Sequence, residues 1–463
     1  MTENTEETSE INHSTLAMLS FNSSVFGTQL IILIFSSRLI FFYEIEVGLS
    51  IWLIMLGYAI YTAWDAFNDP FMGYLSDRPN RLWKKYGKRF PWIVSSSILL
   101  CMAFFLIFIP PDPKVNEWAT FLWFICVLFL FDGLFSILMI NRYALLPDKF
   151  RTDKERKKLA GFYVPFFTIG LIIGMMLPPL FITYGDKTSY VFMAIIGSAV
   201  TLVFLILSFP GMKEDEIMIK RAFTAAQEEK TPFFGTLKKA WKQKNFRIFV
   251  IKWVFINATN VLFVASTPYY VRYVLKGEAI MELYLYAAYL IPGVLLVPLW
   301  MKLGKKVEYV KLYPILSILI GITFLFSIFL LDIVTAIICV LFLGAFYGGL
   351  NTIGTPVDAE MFDEAAVLHG ERNEGTYYGI QTVVGKIGQV LYIVILAIIH
   401  TLTHFDPERG TDQTALAIWG IRLQFGLPTG IFMLIAGFIF WKWWDLNPEK
   451  VALIREKLKQ MNL

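Results

Sequence analysis

Three polar side chains in the stretch WDAFNDPFMG, those of Asp65, Asn68 and Asp69, fall at i, i+3 and i+4, so on a helix they share one face. Two carboxylates and an amide oxygen on one face make a hard-oxygen set suited to a small cation such as Na⁺. The same pair of carboxylates suits a shared proton, since like charges one turn apart resist ionising together. Pro70 follows at once; lacking an N–H, it leaves the carbonyl of Ala66 without its helical donor. A counter-charge is available in Lys386, inside the run YYGIQTVVGKIGQVLYIVILA and too deep in it to reach water by snorkelling. When the cation is absent, this ammonium is expected to bridge to Asp65 or Asp69. Cation occupancy and contact between helices then compete, which couples binding to conformation. A static ion pair between two helices is the alternative.

These charges have to be positioned by an apolar chain. The sequence is 56% hydrophobic and 16% aromatic over 463 residues, above what a soluble domain shows. A bilayer crossing takes about 20 apolar residues, and about twelve such segments can be read: 21–43, 49–75, 91–110, 118–143, 159–183, 190–210, 247–273, 280–302, 312–331, 333–356, 374–400 and 420–444. The expected class is an all-α membrane protein. A charge at the bilayer centre costs at least about 2.5–3.5 kcal/mol, so the buried acids are expected to face a cavity or a partner.

Lys and Arg concentrate in alternate loops, including GYLSDRPNRLWKKYGKR and LLPDKFRTDKERKK. Such loops face the cytoplasm, which places both termini there in a multi-pass cell-membrane protein. The net charge of +4 thus follows from topology and implies no nucleic-acid partner. Cys101, Cys126 and Cys339 lie in apolar segments, which suggests neither a disulfide framework nor a metal cluster. The chain divides into a tail 1–20, a six-helix half 21–210, a polar linker 211–246, a second half 247–444 and a tail 445–463. Two six-helix halves about a linker are the plan of the major facilitator fold, with the solute bound between them.

Asp132 adds a further acid in the fourth segment, on one face with Ser136, Met139 and Tyr143; it is expected either to contact substrate or to carry a proton. Asn257, with Thr259 and Asn260, gives the seventh segment a polar patch that serves as substrate contact or interhelical glue. Arg142 is expected to join Asp148, Asp77 or Glu360 in a cytoplasmic gate, to which Arg78, Asp363 and Arg372 also belong. His400 and His404 read as lying near the exterior surface. No nucleophile, phosphate loop or triad is evident, so no enzymatic activity is expected.

The stretch DAFNDPFMG resembles the second-helix motif of the glycoside–pentoside–hexuronide:cation symporters, the family of the melibiose permease. FFYEIEVGLS, YALLPDKFRTDKERKKL and AEMFDEAAVLHGERNEGTYYGIQTVVGKIGQ extend the resemblance, in family order, across most of the chain. It implies that Asp65, Asn68 and Asp69 are cation-site positions and that the Ser136 hydroxyl completes them. It further implies that Lys386 is the coupling lysine, that Trp64 is an aromatic beside the site and that Asn257 fits a pattern of seventh-helix asparagines.

Where the sugar-transporting relatives place acids on helices one and four and an arginine on helix five, this chain has Gln29, Met139 and Val164. Each unpaired buried sugar hydroxyl costs about 1–3 kcal/mol, so these departures favour a less polar or amphiphilic solute. The function implied is a Na⁺- or H⁺-coupled symporter of a small organic solute, sugar or sugar-like, with the coupling ion its only cofactor. It would work as a monomer in the bilayer. A transporter of an amphiphile such as a lysolipid, and a non-transporting sensor or scaffold, are the alternatives.

Overall fold

The computed structural model describes residues 13–76, 83–215, 218, 241–370 and 374–461, and among them no strand occurs. The first half holds α1 (Thr15–Phe41), α2 (Ile51–Ser76), α3 (Phe90–Ile107), α4 (Pro113–Lys149), α5 (Asp153–Phe181) and α6 (Lys187–Met212). The second holds α7 (Lys244–Tyr269), α8 (Ile280–Leu295 continuing as Val297–Val307), α9 (Tyr309–Ser327), α10 (Ile333–His369), α11 (Glu374–Leu402) and α12 (Ala415–Trp443). A last helix, α13 (Pro448–Gln460), follows. Ten of these helices are long and apolar enough to cross a membrane, and α8, bent by 51° at its break, makes an eleventh. The 26-residue α2 is long enough too, but Asp65, Asn68 and Asp69 dilute its hydropathy. This is a multi-pass membrane protein.

Local chemistry sets the helix starts. The side chains of Ser14, Asp112, Thr152, Asp186, Asp332 and Thr414 each accept a hydrogen bond from a first-turn backbone N–H, which satisfies donors that a helix leaves orphaned. Beyond the expected segment end at residue 302, the chain continues α8 as a second helical stretch to Val307.

The two halves repeat one pairing scheme. In the first, α1 packs on α5 and α6, α4 on α2 and α3, and α3 on α6; in the second, α7 packs on α11 and α12, α10 on α8 and α9, and α9 on α12. Even the terminations repeat, since α1 and α7 both run on into a π-helical turn, Phe42–Val47 and Tyr270–Val274. The halves meet along α1–α7, α2–α11 and α5–α8.

At the end opposite the termini that seam is polar and buried. Arg38 of α1 donates two hydrogen bonds to Glu282 of α8, at 2.8 and 2.5 Å, and both side chains are fully buried. Arg272 pairs with Glu46 at 2.6 Å. Glu44 accepts from the hydroxyl of Tyr269 and lies 2.7 Å from the His400 ring, whose other nitrogen meets Gln424 at 2.7 Å. His400 is 2% exposed: at this end of the bundle the histidine is a buried contact between the halves.

Candidate cation and solute site

The carboxylates of the second segment meet the lysine of the eleventh where α2 crosses α11. Lys386 Nζ lies 2.7 Å from Asp65 Oδ1 and 3.5 Å from Asp69 Oδ2, and it donates to the backbone carbonyl of Asp65 at 2.8 Å. From α4, Ser136 Oγ donates to Asp69 Oδ1 at 2.6 Å. The amide of Asn68 donates to Ser136 Oγ at 3.0 Å and to Asp132 Oδ2 at 2.8 Å. Its own carbonyl oxygen is buried without a partner.

The three α2 side chains thus share a face, as their spacing requires, and two neighbouring helices complete the cluster. Asp132 belongs to it, a place that sequence alone did not give. Three carboxyl groups meet one ammonium in a largely buried setting, where Asp65 and Asp132 are 9% and 6% exposed, so acids outnumber the counter-charge. Such a set can take up a monovalent cation, with an unpartnered amide oxygen and a hydroxyl among its ligands.

Comparison with known proteins bears on what such a bundle is. A family described as MFS/sugar transport protein matches residues 20–446. The chain belongs to that family. Its members include the melibiose-permease-like symporters that the DAFNDPFMG motif indicates. It is similar to a protein of Salmonella typhimurium named as a sulfoquinovose importer, at 28% identity over 94% of this chain and 90% of that protein. It is also similar to the uncharacterised symporter YnaJ of Bacillus subtilis, at 23% identity over 96% and 94%. A local match, 32% identical over 24% of this chain and 21% of the relative, joins it to the sodium-dependent lysophosphatidylcholine symporter 1 of Mus musculus. The solved nucleoside transporter NupG superposes with a TM-score of 0.61 at 14% identity, over 94% of this chain and all of that one, which shows the fold.

In this MFS chain the other singled-out residues are distributed unevenly. Trp64 stacks on Phe129 of α4, ring centroids 4.9 Å apart, with its indole N–H buried and unpartnered. Gln29 and Met139 are half-buried, while Tyr143 and Val164 are exposed; a Cβ on Gly170 of α5 would come within 3.1 Å of Gln29. Asn257 is half-buried on α7, and its side-chain oxygen has no partner.

Of the residues expected to form a gate, the described acids lie apart from Arg142. Arg142 is 2% exposed and bonds to Ser24 of α1 at 2.9 Å, with neither Asp148 nor Glu360 as a partner. Asp148 is exposed. Glu360 lies 3.8 Å from Arg455 and Glu364 lies 2.7 Å from Lys450, both partners on α13, and Asp363 sits on the same last turns of α10. These pairs therefore tie the C-terminal helix to its own half. Sequence reasoning missed this because it read 445–463 as a tail, although Val451, Ile454 and Leu458 form a buried stripe at helical spacing. Asp77, Arg78 and Arg372 lie outside the described residues.

Proposed function

We propose that this protein is a cation-coupled symporter of a small organic solute, driven by Na⁺ or H⁺ and working by alternating access. The observation that carries this reading is the placement of Lys386 against Asp65 and Asp69. A cation entering among Asp65, Asn68, Asp69 and Ser136 competes with that ammonium, so binding it loosens a contact between the halves. Asp132 joins the cation cluster in this reading, because Asn68 ties it to Ser136. A scaffold has no use for three acids that cost energy in lipid.

In the same reading the bundle is closed at the end opposite the termini by the Arg38, Arg272 and His400 contacts. The termini face the cytoplasm, so the closed end is the exterior one. Similarity to a protein named as a sulfoquinovose importer over nearly the whole chain supports a sugar-like solute. Lysolipid transport is the second reading, favoured by Met139 and Val164 where sugar-binding relatives carry charges and by the local lysophosphatidylcholine-symporter match.

Thermal-shift measurements on the purified protein with sugars, sulfonated sugars and lysolipids, each with and without Na⁺ and at two pH values, test the proposal. Expected is a solute whose stabilising effect grows when Na⁺ or protons are supplied. Solute binding indifferent to both would refute cation coupling.

A further inference from the structure

Arg142 lies on α4, ten residues beyond Asp132, and is 2% exposed. Its Nε donates to Ser24 Oγ of α1 at 2.9 Å, so the side chain spans from one helix to another. The guanidinium carbon lies 5.2 Å from the ring centroid of Phe21, 5.5 Å from that of Tyr143 and 6.0 Å from that of Tyr163. Nη2 is buried with no hydrogen-bond partner, and among the described residues no carboxylate pairs with this arginine. Arg38 and Arg272 are treated differently, each closed off by a glutamate.

A guanidinium keeps its charge in any protein setting, and a buried charge without a partner is among the costlier features a membrane bundle can retain. Aromatic faces offset part of that cost by cation–π attraction, but they leave the N–H donors unfilled. Phe21 is fully buried whereas Tyr143 is 54% exposed, so the guanidinium is shut in on the α1 side and approachable past Tyr143. The nearby Val164 is 61% exposed.

We infer that Arg142 recognises an anionic group on the transported solute, an oxyanion such as a sulfonate, phosphate or carboxylate. This inference rests on the transport reading above. The planar fork of the guanidinium receives two oxygens of such a group, while Tyr143 and Tyr163 flank the adjoining body of the solute. The solute thus supplies a counter-charge that the described residues do not provide. Arg142 becomes a specificity determinant, separating charged solutes from neutral sugars of the same shape.

Two measurements on wild type, Arg142→Met and Arg142→Lys test this. The first needs no ligand. Arg142→Met is expected to leave the thermal midpoint of the solute-free protein unchanged or raised, because it removes an uncompensated buried charge; a midpoint lowered by several degrees would mark a structural arginine and overturn the inference. The second compares glucose, sulfoquinovose (glucose with a sulfonate in place of the 6-hydroxyl) and lysophosphatidylglycerol as probes. One anionic probe should bind roughly tenfold or more tightly than glucose, an advantage lost in Arg142→Met and partly kept in Arg142→Lys.

Glucose binding as tightly as both anions, or anion binding unchanged in Arg142→Met, would overturn it. Which anion binds separates a sugar-borne from a lipid-borne group, and if none of the three binds, the solute-free midpoint decides. Repeating the titrations with and without Na⁺ keeps the two proposals apart: Arg142-dependent binding that ignores Na⁺ and pH would remove cation coupling alone.

Discussion

Lys386 is held by three oxygens, two of Asp65 and one of Asp69, and this sets what its removal should do. Lys386→Gln is expected to insert and fold, to keep cation binding, and to lose uphill solute accumulation, because the empty carboxylates no longer have a competing contact across the halves. Membrane abundance and uptake against a gradient check this; a static structural pair predicts instead a missing protein that Asp65→Asn rescues. Asp132→Asn should lower cation affinity by roughly tenfold or more, since one carboxylate near the ion is worth upwards of a kcal/mol even at an effective dielectric of about 20. Unchanged affinity in a titration of that variant would put Asp132 outside the cation cluster. The shared face of Asp65, Asn68 and Asp69 was legible because helical spacing alone dictates it, and Lys386 stood out by its depth in an apolar run. The partner of Asp132 was not legible, because the register of α2 against α4 is fixed by packing that one sequence does not display. His400 was missed for a similar reason, as its partner Glu44 is 356 residues away.

Helix crossings in the bundle depend on small residues. A Cβ on Gly348 of α10 would come 2.3 Å from the Gly293 carbonyl of α8, and Gly344, one turn earlier, meets the carbonyl of Tyr289 just as closely. This is the GxxxG contact that lets membrane helices approach backbone to backbone. Gly348→Leu should therefore force α8 and α10 apart at a cost of about 1–3 kcal/mol or more and reduce membrane abundance, whereas Gly379→Ala, with nothing near its Cβ, should be neutral. Abundance by immunoblot and the thermal midpoint read both variants; equal abundance for the two would contradict the packing account.

At this scale each apolar run falls on a helix, but several runs are cut short. The helices run on past the last apolar residue, α4 to Lys149 and α10 to His369, where charges such as Lys149 and Glu364 find partners within the protein. A window that counts apolar residues stops at the first cluster of charge; hydrogen-bonded helix does not.

Across the whole molecule, twofold repetition of one pairing scheme builds the seam at which the Asp65–Asp69–Lys386 cluster and the buried contacts of the far end lie. Sequence showed the halves through their helix count, yet gave no sign of the Arg38–Glu282, Arg272–Glu46 and His400–Glu44 contacts, because each joins residues from opposite halves. Breaking the Arg38–Glu282 pair from one side should be costly: Arg38→Met leaves Glu282 buried with the Tyr184 hydroxyl but without its counter-charge, a loss of about 3–5 kcal/mol, while Arg38→Met with Glu282→Met should recover most of it. Thermal midpoints of the single and double variants measure this, and equal destabilisation in both would show that the pair acts independently of its charge balance.

In the proposed mechanism Asp65, Asn68, Asp69 and Ser136 bind the ion that drives transport. Its most direct measurement is calorimetric titration of Na⁺ into the purified, solute-free protein at two pH values, for wild type and Asp69→Cys. Saturable Na⁺ binding is expected, or proton uptake in its place if H⁺ is the coupling ion, and Asp69→Cys should abolish it while the protein remains folded. Neither signal in wild type, or the same signal in Asp69→Cys, would contradict it.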